Sequence, residues 1–268
     1  MIAGEAALSN WDAGMDMYIY GKLGNLTMTK EGINVLMTNL TGKVPPILQR
    51  LDYIRFNGEA AGYLHDLTLT GLFHTGAGMV KTDVMMSIDE QSMSRTYSGS
   101  VASADLDLGK LLNQEKKFGK VDFNVELKGF NYKNRYPESY IKGIISSFEY
   151  SQYQYENIML DGVYKDGGFN GRLSMDDANG SVQIDGNFNV AKTIPDFNLK
   201  ASVKNLRPHD LHLSDKYENA SISLGLTADF TGKSIDDMNG RISLDSLQLN
   251  APDEGGCFLD NLTITAGR

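Results

Sequence analysis

A single cysteine, Cys257, leaves this chain without a disulfide framework. It sits in the turn-like stretch APDEGGCFLDN (251–261) with no His or Cys at ligand spacing, so it is expected as a small thiol in the core. No run of eighteen apolar residues occurs, and no basic, then apolar, then small-residue leader opens the sequence. On that ground the chain reads as a soluble protein or as an interior piece of a longer one. Basic residues are also few: 25 Lys and Arg against 34 Asp and Glu give a net charge of −9 and a pI near 4.9, and they are scattered. Phosphate binding needs a concentrated basic patch, which argues against nucleic acid as a partner and, more weakly, against docking on anionic lipid headgroups.

Catalytic signatures are missing as well. There is no G-x-S-x-G elbow, no phosphate-binding glycine loop and no H-E-x-x-H, so neither catalysis nor a cofactor is expected. His209 and His212 in RPHDLHL (207–213) follow Pro208 in a loop entering a strand, with no further zinc ligands signalled nearby. DDANG (176–180) invites a calcium reading, but Met175 stands where the first acidic ligand of an EF-hand would be. A hairpin turn closed by Asn-Gly explains it better.

What the chain has is alternation. Its 268 residues are 41% hydrophobic and 22% charged, a globular composition long enough to bury a core. Apolar residues recur every second position in Met15 to Ile19, Leu67 to Phe73, Val80 to Ile88, Val121 to Leu127, Ile158 with Leu160, and Leu173 with Met175. The pattern continues through Val182 to Val190, Phe197 to Val203, Ile222 to Phe230, Ile242 with Leu244, and Leu262 with Ile264. Turn clusters separate these runs, as in HTGAG (74–78), KDGG (165–168) and TGKSIDDMNG (231–240). Only VPPILQRL (44–51) and LDLGKLLNQEKK (106–117) look helical, and both are short. The expected class is all-β: an antiparallel sheet of many strands with one or two short helices, and no helical layer to cover it.

Faint repeats start near residues 63, 155 and 258, in YLHDLTLTG, YENIMLDG and FLDNLTITAG. They lie roughly 90 to 105 residues apart, which suggests one elongated β segment, residues 1–268, built of units that contact mainly their neighbours. One face of each strand is oily and must be covered by core, membrane or bound ligand. From the pattern alone, a lipid groove and the dry interior of a β-sandwich stand about equal. A membrane barrel ranks third, because the aromatics show no spacing in sequence that matches two interfacial girdles.

Order and length carry one further clue. YSGSVASADLDLGKLL (97–112), KVDFNVELKG (120–129), YPESYIKGIISSFEYSQYQYENIMLDGVY (136–164) and FNGRLSMDDANGSVQIDGNFN (169–189) together resemble the TamB branch of the AsmA-like envelope proteins. The similarity runs from Tyr63 to Leu213. It implies a long, curled β-sheet folded lengthwise like an open taco, crossing the periplasm with an apolar interior. It further implies an inner-membrane anchor and an outer-membrane assembly barrel as a partner, both through regions outside this chain, so that the chain would be an interior segment. The functions implied are phospholipid movement between membranes and support of outer-membrane protein assembly.

A twisting sheet with one oily face can curl until it lines a groove that acyl chains fill. The residues expected to line it are Val182, Ile184, Phe188, Val190, Phe197, Leu199, Val203, Ile222, Leu224, Leu226 and Phe230. The alternative is a β-sandwich recognition module of a cell-surface protein, binding glycan or protein through Tyr150, Tyr153 and Tyr155.

Overall fold

The alternating runs form strands that hydrogen-bond in the order of the chain. The structure is a computed structural model describing residues 2–10, 12–89, 91–92, 94–131, 138–216, 218–233, 237–252 and 255–267. Its first nine strands are β1 (Ile2–Ser9), β2 (Tyr18–Thr29), β3 (Tyr53–Tyr63), β4 (Asp66–Thr75), β5 (Gly78–Ile88), β6 (Arg95–Ala104), β7 (Leu106–Asp107), β8 (Phe118–Asn131) and β9 (Glu138–Tyr150). The rest are β10 (Tyr153–Lys165), β11 (Gly168–Asp177), β12 (Gly180–Asn189), β13 (Asp196–Leu206), β14 (Ser221–Thr231), β15 (Asn239–Ala251) and β16 (Gly255–Ala266). The sheet order is sequential from β1 to β16, with the two-residue β7 pairing β8 off the path. The all-β antiparallel class expected from the sequence is the class of this fold.

The chain divides into two compact units, one of Met1–Asn134 with Ser146–Gln152 and the other of Arg135–Ile145 with Tyr153–Arg268. The first unit holds three helices, α1 (Lys30–Thr41), α2 (Pro46–Gln49) and α3 (Leu108–Leu112). The second and third fall inside the stretches read as helical, with Pro46 in the first turn of α2. The first was not anticipated. Thr29 caps it by accepting a hydrogen bond from the Gly32 amide at 3.4 Å, and Gly42, at φ 73°, ends it in the left-handed conformation. At the other end of the alternating set, Met15 falls in a 3-10 turn (Gly14–Asp16), so β2 begins only at Tyr18.

Helix α1 exists because it has something to cover. Ile33 lies one turn before Met37, and both face a buried cluster of Leu51, Ile54 and Ala77 at the ends of β3 and β4, with Met28, Leu48, Phe73 and Leu111 around it. Lys110 of α3 fastens this plug by donating to Asp52 Oδ2 at 2.7 Å and to the Gly76 carbonyl at 3.2 Å. Arg50 donates to the Leu111 carbonyl from the other side. In the second unit no helix occurs among the described residues.

Strand registers align residues of one kind into rows. In the first unit Phe56 opposes Phe73, Gly58 opposes Gly71, and Ala60 opposes Leu69. In the second the same succession returns: Tyr164 opposes Phe169, Gly162 opposes Gly171, and Leu160 opposes Leu173. Rings lean over the glycines: a Cβ on Gly162 would meet Phe169 Cζ at 2.5 Å, and one on Gly71 would meet Phe56 Cε2 at 2.5 Å. Neighbouring backbones also close in where side chains are missing. Gly186, at φ +145°, adopts a conformation that L residues avoid, and a Cβ there would overlap the Asn198 carbonyl oxygen.

Replacing Gly186 by Ala is expected to cost about 2 kcal/mol or more, since backbone strain and backbone overlap act together. Gly21 has an ordinary φ and no atom closer than 3.9 Å to a built Cβ, so Gly21→Ala is expected to change stability by less than about 1 kcal/mol. Urea unfolding of both variants checks the contrast; equal losses would show that the glycine row does not set the approach of the strands.

Candidate functional site

The candidate site is the apolar face of the second unit, assembled by register from residues far apart in sequence. Phe169, Phe188, Phe197 and Phe230 form one row across β11 to β14, with Tyr164 continuing it on β10. Phe197 and Phe230 stack with centroids 4.7 Å apart, and Phe169 and Phe188 lie 5.8 Å apart. Beside it runs a row of small or slender residues: Gly162, Gly171, Gly186, Leu199, Ala228 and Ile242. Next come Leu160, Leu173, Ile184, Ala201, Leu226, Leu244 and Leu262, and then Ile158, Met175, Val182, Val203 and Leu224. At a strand spacing of 4.7–4.9 Å, a row crossing β10 to β16 is roughly 29 Å long.

Ten of the eleven residues expected to line a groove therefore share this face: Val182, Ile184, Phe188, Phe197, Leu199, Val203, Ile222, Leu224, Leu226 and Phe230. All ten are half-buried, none fully so. Val190 is the exception. It lies beyond the end of β12 and is 63% exposed, because the strand closes at Asn189, whose side chain accepts from the Ala191 amide and turns the chain. The row members on β10, β11, β15 and β16 were missed as lining residues, although each alternating run was visible. Sequence alone does not say which runs pair.

Polar groups occupy the opposite face. Asp161, Arg172, Asp185 and Lys200 succeed one another across β10 to β13, with Arg172 Nη2 3.1 Å from Asp185 Oδ2. Tyr140 donates to Asp161 at 2.8 Å, and this hydrogen bond, helped by Lys142, holds the Asp161 carboxyl below the usual carboxylate range.

One end of the apolar face is stoppered by the connection between β13 and β14. Leu211 in this coil is fully buried, and the buried Tyr155 donates its hydroxyl to the Leu211 carbonyl at 2.7 Å. The coil is tied by Leu211 N to Arg207 O at 3.1 Å and by Arg207 N to Asn179 O at 2.9 Å. Thus Tyr153 and Tyr155 do not form an exposed platform. Tyr153 meets Tyr155 edge-on at 4.8 Å, packs against His212, and donates to Asp177. Tyr150 packs against Phe118 and Phe148, with the Lys117 ammonium 5.5 Å above its ring.

DDANG is the β11–β12 turn. Asp177 accepts from the Asn179 amide and from the Glu156 amide, so its carboxylate organises two strand ends. His209 sits 3.7 Å from Asp210, and no three His, Cys, Asp or Glu residues among those described come together as a metal site. Cys257 was expected in the core and is exposed instead. It opposes Leu249 on the edge strand β16, where no further strand covers it along the hydrogen-bonded path. No helix among the described residues is long and apolar enough to cross a membrane. Compared with known protein families, curated proteins and solved structures, the chain matches none.

Two outcomes are expected at the stoppered end. Tyr155→Phe leaves the buried Leu211 carbonyl without its donor and is expected to cost about 1–3 kcal/mol in urea unfolding. An unchanged midpoint would mean that water replaces the phenol. Burial, followed by the hydrogen bond to Asp177, pushes the Tyr153 phenol up to about 12 from 10.0. Below pH 10 both folded and unfolded chains keep this proton and its contribution to stability is complete. Between pH 10 and 12 the unfolded chain releases the proton first, so stability falls as pH rises through that window. Ultraviolet titration of phenolate in wild type and Tyr153→Phe should show one late-titrating tyrosine lost in the variant.

Proposed function

We propose that this chain is a segment of a TamB/AsmA-like periplasmic protein and offers its apolar sheet face to phospholipid acyl chains moving between membranes. No bond is made or broken in this role. The observation that carries the reading is the in-register set of apolar rows, most of whose members are only partly buried, with no α-helix in the second unit among the described residues. A hydrocarbon chain laid on such rows exchanges water for apolar contact at ~0.8 kcal/mol per buried methylene, so covering about ten methylenes yields several kcal/mol. Rows roughly 29 Å long accommodate a chain that reaches across one leaflet, about half of a 30 Å hydrocarbon core.

The rows carry no charged side chain, so no ion pair on them holds a chain at one position. Movement by sliding is consistent with that lack of charged anchors. Support of outer-membrane protein assembly, with an assembly barrel as the partner, belongs to the same proposal and rests on the family resemblance. A glycan- or protein-recognising module would need exposed aromatic faces, whereas the tyrosines considered for it serve as packing and hydrogen-bonding groups.

The protein, purified from a bacterial host without detergent, is expected to carry phospholipid detectable by native mass spectrometry and lipid extraction. Leu224→Asp and Ile184→Glu, each placing a charge in a row, are expected to remove most of that lipid while circular dichroism still reports a folded sheet. Folded variants that retain wild-type lipid, or a wild-type protein that never carries any, would overturn the reading.

A further inference from the structure

The apolar face of the second unit has a depth along its strands as well as a length across them. Its outermost rows lie six positions apart on every strand, from Met175 to Phe169 on β11, Val182 to Phe188 on β12 and Val203 to Phe197 on β13. At about 3.3 Å per residue the depth is roughly 20 Å. The two ends of that depth differ.

At the Val182 end the face is closed. Tyr155 lies on the apolar side, because β10 steps from Ile158 to Tyr155 past Asn157 at φ 52°, as β13 steps from Val203 to Leu206 past Asn205. Gln154, Glu156 and Asn157 are exposed, which agrees with that phase. The β13–β14 connection reaches back past the ends of β12 and β11 to set the fully buried Leu211 under the Tyr155 hydroxyl. Met175, in the row nearest this stop, is buried as well.

At the Phe188 end the β12–β13 connection stands clear of the face. Every residue from Val190 to Ile194 is exposed, and so are Tyr164, Lys165 and Asp166 where β10 ends. Lys192 and Lys233 add charge in connections at this same end, Lys192 lying 2.9 Å from Asp196. A phospholipid has the same polarity, apolar at one end and charged at the other. A chain parallel to the strands buries its methyl end among apolar groups and leaves its headgroup in water among charges of both signs. The depth also suits it, since one chain spans about half of a 30 Å hydrocarbon core.

We propose that acyl chains lie parallel to the strands of the second unit, methyl ends against Leu211 and headgroups beyond the Phe row, so that Leu211 sets the chain length this face accepts. The inference rests on the lipid-carrying reading above and adds length selection to it. Movement along the rows then carries a chain sideways from strand to strand, with its headgroup following the exposed rim.

The test separates the two. The full chain is incubated with vesicles holding equal amounts of dimyristoleoyl, dioleoyl and dierucoyl phosphatidylcholine and repurified without detergent, and its lipid is extracted and quantified by mass spectrometry. Wild type is expected to take up the dierucoyl lipid about tenfold less than the dioleoyl lipid, because methylenes that overrun the stop stay uncovered. Leu211→Ala removes the stop and is expected to raise the dierucoyl share about threefold. Val182→Phe fills the row next to the stop and is expected to shift uptake from the dioleoyl to the dimyristoleoyl lipid by about threefold. Circular dichroism reports whether each variant folds; if Leu211→Ala does not, Val182→Phe decides alone. Equal uptake of the three lipids by wild type, or a wild-type profile in a folded variant, overturns the length limit and leaves the apolar face standing. No lipid on wild type overturns both.

Discussion

Strand register is the constraint on which everything else here depends. Side chains alternate with a period of two, so a slip of one residue anywhere would send a strand's apolar set to the polar face and break every row that crosses it. Tight turns hold the register at Tyr63–Asp66, Thr75–Gly78, Lys165–Gly168 and Asp177–Gly180. Where the apolar pattern itself changes phase, a bulge absorbs the extra residue. β13 steps from Val203 to Leu206 past Asn205 at φ 48°, and β15 steps from Leu244 to Leu247 past Ser246 at φ 52°. β2 makes the same step from Leu23 to Leu26. Each bulge keeps the next leucine on the apolar face, which plain alternation would have turned to water.

The glycine rows and the stoppers solve opposite halves of one packing problem. An apolar face without a second layer loses stability wherever water reaches it, and rings leaning over glycines reduce that loss without adding a layer. Each unit also ends its face with a stopper from its own chain: the Ile33, Leu51 and Ala77 cluster in one, and Leu211 under Tyr155 in the other. Between such anchors the rows can remain half-exposed, because the buried ends supply the dense contacts that hold the strands in register.

Much of this was legible in the sequence, and the failures have physical causes. Period two gave the strands, and DDANG and KDGG gave their turns. Ten of the eleven lining residues follow from alternation; Val190 does not, because alternation cannot see that Asn189 turns the backbone out of the ladder. Cys257 was misplaced because its strand follows a turn-rich stretch and lies at the edge of the path, where being on the apolar side does not mean being buried. Helix α1 was hidden because LTMTKEGINVLM runs an alternating strand into a helix at Thr29, with only a capping threonine and a later glycine to mark the change. The aromatic row was invisible for a different reason: Tyr164, Phe169, Phe188, Phe197 and Phe230 show no regular spacing, and only hairpin lengths bring them into line.

The same arrangement explains how one surface can be both permissive and selective under the proposed reading. A row of Phe, Leu, Ile and Val side chains distinguishes poorly among hydrocarbons, since each added methylene gains about the same wherever it lies. Selection must come from groups that are directional and few, and these sit at strand ends, where the period of two stops and turns bring polar residues together. The stopper around Leu211, where Tyr155 donates to its carbonyl, is such a place. A sheet of this design separates the two tasks in space. On the proposed reading its interior rows would set how strongly a chain is held, and any choice among molecules would be left to its turns.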